Sequence, residues 1–217
     1  MIRSRLWGLG LVLWLALALW GCQRQQPKLD PLTDDAILFA FGDSLTQGTG
    51  AAPGEDYPSV LSQSIGLPVI NAGVAGELSG EGLARLAREL ERHQPDLLIL
   101  IHGGNDLLQK TPDARIEQNL RAMIALARQN GVAVVMLGVP TPSLFGLDSA
   151  PFYARVAEDL QVPIDTESLP EILGTRALKA DTVHPNAAGY RLLAERVQVL
   201  LQACGALRAS RDEHKTF

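Results

Sequence analysis

Cysteine is scarce in this chain of 217 residues, which holds only Cys22 and Cys204. At most one disulfide can form, so a hydrophobic core and not covalent staples must hold the fold. Histidine is nearly as rare, and His93, His102, His184 and His214 show no spacing suited to a metal site. Neither a metal nor an organic cofactor is expected. Basic residues are outnumbered by acidic ones, 19 to 24, so nothing steers toward nucleic acid. No apolar run reaches the ~20 residues that cross a hydrocarbon core, and there is no internal repeat or low-complexity block.

What is present is 47% hydrophobic content over a length that suits one globular domain plus a targeting segment. The chain opens Met1-Ile2-Arg3-Ser4-Arg5 and runs apolar through residues 6–20 before Gly21-Cys22 and a polar stretch. A basic start before a short apolar run is an export signal. Leu19-Trp20-Gly21-Cys22 resembles the bacterial lipobox, which implies that Cys22 is lipidated and becomes the first residue of an exported, membrane-anchored protein facing the periplasm. With Gln23 after the cysteine, the sorting rule for such signals implies the outer membrane. Cys204 is then a lone thiol on an apolar helix.

Residues 23–35 are polar, carry Pro27 and Pro31 and lack apolar periodicity, which reads as a flexible tether. The expected organisation is a signal peptide over residues 1–21, Cys22 and the tether over 22–35, one domain over 36–204 and a charged tail over 205–217.

Within the domain, continuous apolar runs at 36–41, 68–70, 96–101 and 132–137 alternate with helix-like stretches at 57–65, 80–92, 113–130, 150–160 and 186–201. Strands apolar on both faces belong to a parallel sheet covered on both sides. The pattern predicts a single-domain, three-layer α/β/α fold with a doubly wound parallel sheet, flavodoxin-like in type. In such folds reactive side chains lie just past the carboxyl ends of strands.

Four short segments occupy those places. Gly42-Asp43-Ser44-Leu45-Thr46 follows the first strand, where a glycine allows a sharp reversal and a serine displays its hydroxyl and N–H. Asn71-Ala72-Gly73 follows the second, and Gly103-Gly104-Asn105-Asp106 the third. Asp181-Thr182-Val183-His184-Pro185-Asn186 precedes the last helix. There an aspartate three residues before a histidine can hold its Nδ1–H and leave Nε2 free as a base. Taken singly, each has an ordinary explanation: a tight turn for the first three, and for the last a helix cap with His184 merely exposed.

Taken together, Ser44, Gly73, Asn105 and His184 resemble the SGNH hydrolases, or GDSL esterases, whose name lists those four residues. The resemblance covers residues 36–201 and is nearest to the bacterial arylesterase and periplasmic thioesterase/lysophospholipase group, with Asp56-Tyr57-Pro58 as a further match. One departure is Gly76-Glu77-Leu78-Ser79, where that group more often reads Gly-Asp-Thr-Ser. The resemblance implies Ser44 as nucleophile, His184 as base and Asp181 as orienting carboxylate. It also implies an oxyanion hole made by the N–H groups of Ser44 and Gly73 and the amide of Asn105. The expected substrate is a small acyl ester or thioester.

His102 either lines the pocket or is a packed strand-end residue; Asp43 and Asp106 read as turn and loop braces. The apolar, proline-rich segment 140–147 suits contact with an acyl chain, and equally suits covering the sheet edge. Rival functions are an envelope carbohydrate O-acetylesterase or acetyltransferase, and a binding lipoprotein without activity.

Overall fold

The computed structural model describes residues 26–208. Its main sheet has five strands: β1 (Leu38–Gly42), β2 (Val69–Gly73), β3 (Leu97–Ile101), β4 (Ala133–Leu137) and β7 (Ile164–Asp165). They lie in the order β2-β1-β3-β4-β7 and every pairing is parallel, with Leu38 opposite both Val69 and Leu97. All five residues of β1 and of β3 are buried, which explains why these strands read as unbroken apolar runs. The chain leaves β1 toward neighbours on both sides, so the switch point of the sheet lies at the end of β1, where ligands of doubly wound folds bind.

Helices α2 (Tyr57–Ile65) and α8 (Ala187–Ala203) pack on each other over one face. The second layer is formed by α3 (Ser79–His93), α5 (Asp113–Gln129) and α6 (Pro151–Leu160), with α5 packed between the other two. Their ends carry local causes. Asp56 caps α2 by accepting from Ser59 N at 3.0 Å, and Asn186 caps α8 by accepting from Gly189 N at 3.0 Å. His93 is the last residue of α3 and tilts against Phe39.

Short elements complete the carboxyl side of the sheet: α1 (Ser44–Gln47), α4 (Gly104–Leu108), the antiparallel hairpin of β5 (Pro140–Ser143) and β6 (Gly146–Ser149), and α7 (Ser168–Gly174). The hairpin lifts Leu144 and Phe145 to its tip, 88% and 96% exposed. They do not cover the sheet edge.

The segment expected as a loose tether is fastened to the domain from Gln26 onward. Its side-chain amide pairs with edge strand β7, donating to Ile164 O at 2.9 Å and accepting from Ile164 N at 3.0 Å. Leu29 N donates to Cys204 O, the C-cap of α8, at 2.8 Å and Leu32 N to Ala206 O, just past the helix, at 2.9 Å. Both leucines pack on the core. Pro27 and Pro31 break any periodicity there, so the pattern alone does not reveal the docking. Cys22 and the export signal lie outside the described residues, as do 209–217 of the tail and His214. Among the described residues, no helix is long and apolar enough to cross a membrane.

Candidate active site

Ser44 is the first residue of α1, directly past β1. Asp43 caps this turn, its Oδ1 accepting from Leu45 N at 3.0 Å. Burial pushes the Asp43 carboxyl up, against the pull of His102 and the Leu45 amide. From α8, the buried Tyr190 hydroxyl donates to Thr49 O at 2.9 Å and braces the far end of the turn. The serine is therefore carried on a short element clamped from both sides.

His184 arrives from 140 positions further along and places Nε2 2.9 Å from Ser44 Oγ. Its Nδ1 lies 2.8 Å from Asp181 Oδ2. The other oxygen of Asp181 accepts from Val183 N at 2.8 Å and His184 N at 2.9 Å. One carboxylate thus folds its own loop and orients the imidazole. The hydrogen bond from His184, followed by that from Val183 N, holds the Asp181 carboxyl below its usual range. An ionised Asp181 accepts from Nδ1–H, which leaves the Nε2 lone pair facing the serine hydroxyl. The cap explanation is satisfied by Asn186, and His184 is not merely exposed: it is turned into the site.

Gly73 ends β2 against the backbone of α1. A Cβ there would stand 2.1 Å from Gln47 N and 2.6 Å from Thr46 C, so only glycine permits this approach. Its N–H donates to Asn71 Oδ1 at 3.0 Å, while Asn71 Nδ2 donates to Asp56 Oδ1 at 3.1 Å. Any substrate oxygen competes with Asn71 for that amide. Asn105 lies in α4, whose start abuts the Ser44 turn: a Cβ on Gly104 would sit 3.1 Å from Asp43 Oδ2. One N–H of Asn105 is held by Glu77 O at 3.0 Å, leaving the second amide hydrogen for a ligand.

Asp106 braces the start of α3, accepting from Ser79 N at 2.7 Å and Ser79 Oγ at 2.8 Å. His102 is fully buried behind the site. Cys204 is a buried free thiol, pushed up by burial and donating to Leu201 O at 3.3 Å. Among the described residues no group of His, Cys, Asp and Glu could hold a metal ion. Sequence reasoning missed Asn71 and Tyr190 as supports and missed Arg85 altogether. Arg85 sits on an amphipathic helix, where nothing in the pattern separates an inward-reaching arginine from a solvated one.

Among the described residues five large hydrophobic side chains are exposed, and four follow the carboxyl ends of strands: Val74 after β2, Leu108 after β3, and Leu144 and Phe145 after β4.

Comparison with known proteins finds relatives of this chain. The model of the GDSL-like lipase/acylhydrolase family matches residues 40–192. The arylesterase of Vibrio mimicus is 31% identical over 168 residues, covering 73% of this chain and 84% of that protein. Esterase TesA of Pseudomonas aeruginosa is 31% identical over 195 residues, covering 84% of this chain and 95% of that protein. A crystal structure of TesA superposes with a TM-score of 0.71 at 28% identity, covering 77% of this chain and 99% of that one.

Proposed function

This chain belongs to the GDSL-like lipase/acylhydrolase family, and we propose that Ser44, His184 and Asp181 are its catalytic triad in the hydrolysis of acyl esters and thioesters. The observation that carries this reading is the 2.9 Å contact between Ser44 Oγ and His184 Nε2 across 140 positions of chain. Ser44 Oγ attacks the acyl carbonyl carbon as its proton passes to Nε2. The oxyanion is met by the N–H of Ser44, the N–H of Gly73 and the free amide hydrogen of Asn105. Collapse breaks the bond to the alcohol or thiol, which leaves with the proton from His184. Water then repeats the sequence on the acyl-enzyme, delivering its proton to His184 and releasing the carboxylic acid. Asp181 stabilises the imidazolium formed in both halves.

The substrates are amphiphilic acyl compounds met at a lipid surface. Support comes from four exposed large apolar side chains, Val74, Leu108, Leu144 and Phe145, on segments that follow the carboxyl ends of the strands, since exposed apolar surface on the ligand-binding side of such a sheet suits contact with an acyl chain. A fluorophosphonate probe should attach to Ser44 of the wild type and not to Ser44→Ala. A panel of p-nitrophenyl esters, acyl-CoA, lysophospholipid and acetylated sugar should then favour the long acyl chains. A double variant, Leu144→Ser with Phe145→Ser, should raise KM for long-chain substrates about three- to tenfold, as partial loss of two apolar contacts requires. Preference for acetylated sugar, indifferent to the hairpin tip, would overturn the amphiphile reading.

The enzyme is exported and held by a lipid on Cys22, facing the periplasm, in the outer membrane. The apolar leader and the lipobox-like Leu19-Trp20-Gly21-Cys22 support this. Because Gln26 is fastened to β7, four chain steps of at most ~3.6 Å each separate the anchor from the folded domain. Cys22→Ser should move the protein from the membrane to the soluble fraction. A protein still bound to membranes after that change is held by something other than this cysteine.

A further inference from the structure

The three backbone and side-chain donors assigned to the oxyanion stand on three different strand ends, and one buried polar cluster touches all three. Arg85 reaches inward from α3, its guanidinium 4.0 Å from the centre of the Phe41 ring. Its Nε donates to Glu77 Oε1 at 2.6 Å and its Nη2 to Glu77 Oε2 at 2.8 Å. The same Nη2 donates to Ala72 O at 2.8 Å and to Gly42 O at 3.4 Å. Ala72 immediately precedes Gly73 on β2, and Gly42 ends β1 two positions before Ser44.

The third strand end is reached through Glu77. His102, directly past β3, accepts from Gly103 N at Nδ1 over 3.0 Å, so its ring hydrogen lies on Nε2, 3.1 Å from Glu77 Oε2. The backbone carbonyl of Glu77 in turn holds Asn105 Nδ2 at 3.0 Å. Helix α3 makes room for the ring with a glycine: a Cβ on Gly82 would stand 2.2 Å from His102 Nε2. Hydrogen bonds from His102 and Arg85 bring the Glu77 carboxyl below its usual range, although burial alone would raise it.

Well-packed apolar residues would stabilise such a place about as well as a buried ion pair. What charge adds is direction: a guanidinium fork fixes carbonyl oxygens at set angles. We propose that Arg85, Glu77 and His102 are positioning residues that hold the oxyanion donors of Ser44, Gly73 and Asn105 in one geometry. The inference rests on the assignment of those donors under the proposed function.

The test uses the purified protein with a p-nitrophenyl ester and with a boronic acid that mimics the tetrahedral oxyanion. Glu77→Gln, Arg85→Met and His102→Leu should each lower kcat by about ten- to a hundredfold, less than deletion of a donor itself. KM should stay within about twofold, and boronate affinity should fall in step with kcat. His102→Gln, which restores a neutral donor toward Glu77, should stay within about fivefold of wild type. In an Asn105→Ala background Glu77→Gln should cost less than it does in the wild type, because the share that acts through Asn105 is already lost and only the share through Arg85 remains. If Arg85→Met does not fold, His102→Leu and His102→Gln, which leave the Arg85–Glu77 pair intact, decide the matter by the same readouts. Folded variants with wild-type kcat, a change confined to KM or to thermal stability, or losses that simply multiply with Asn105→Ala would overturn the proposal. Failure of the esterase reading itself would show differently, as a wild-type protein that neither hydrolyses the ester nor takes the fluorophosphonate.

Discussion

Ser44 stands between two polar assemblies built on different principles. On the His184 side the carboxylate is near the surface: the Asp181 side chain is 53% exposed and sits in a loop that its own backbone bonds define. On the oxyanion side the carboxylate is enclosed: Glu77 is 7% exposed and is bound by Arg85 and a fully buried His102. Water can replace a lost partner of Asp181, and an exposed ion pair contributes little to stability. Loss of a partner of Glu77 leaves an unbalanced charge in the interior, which is costly. In the proposed mechanism the moving part, a proton on His184, thus lies where solvent can reach, while the static part lies where solvent cannot blur it.

The largest effects should fall at the junction of the two. Ser44→Ala and His184→Ala are each expected to lower kcat by roughly 10⁴–10⁶, as removal of a nucleophile or base does elsewhere. Hydrolysis measured in preparations free of other esterases checks this, and a Ser44→Ala protein with substantial turnover ends the triad assignment. One step down, Asp181→Asn should cost about 10²–10³ in kcat, short of the roughly 10⁴ lost when a fully buried partner of this kind is changed. Asn105→Ala should cost a similar ~10²–10³, but the two should separate by pH. The Asp181 variant fails through the protonation and orientation of His184, so its kcat profile changes shape; the Asn105 variant keeps the wild-type profile at a lower height.

The smallest effect concerns stability and compares the two carboxylates directly. The folded-state pKa of Glu77 is depressed, so its contribution is fully present above the unfolded value of about 4.3 and is lost as pH falls through the folded value. The Tm gap between wild type and Glu77→Gln, read by circular dichroism, should therefore be widest near neutrality and close in acid. Asp181 is also depressed, but the gap for Asp181→Asn should be small at every pH, because solvent screens an exposed pair. Equal gaps for the two variants would dissolve the contrast drawn above.

Much of this was legible in the chain. Unbroken apolar runs announced β1 and β3 because parallel strands are buried on both faces. The four strand-end segments could be matched to one crevice because a doubly wound sheet aligns its carboxyl ends. Other features carried no periodic signal. Helices α1 and α4 have four and five residues, too short for a 3.6-residue repeat to declare itself. The proline-bearing hairpin over β5 and β6 resembled a loop, and Gln26 looked like any polar residue before it paired with Ile164. The bond from the Gly73 amide to Asn71 follows from a local turn that composition does not announce.

By itself the sequence determined the fold class and the succession of the main strands and helices, since apolar periodicity is a local property of the chain, and through its resemblance to a family it offered the candidate reactive groups. Only the tertiary structure decided that Ser44 and His184 meet at 2.9 Å and that Arg85, unremarked on its helix, ties together two strand ends. Such contacts join positions tens to more than a hundred residues apart, and their existence depends on how strands register and helices pack, which no neighbouring residue records.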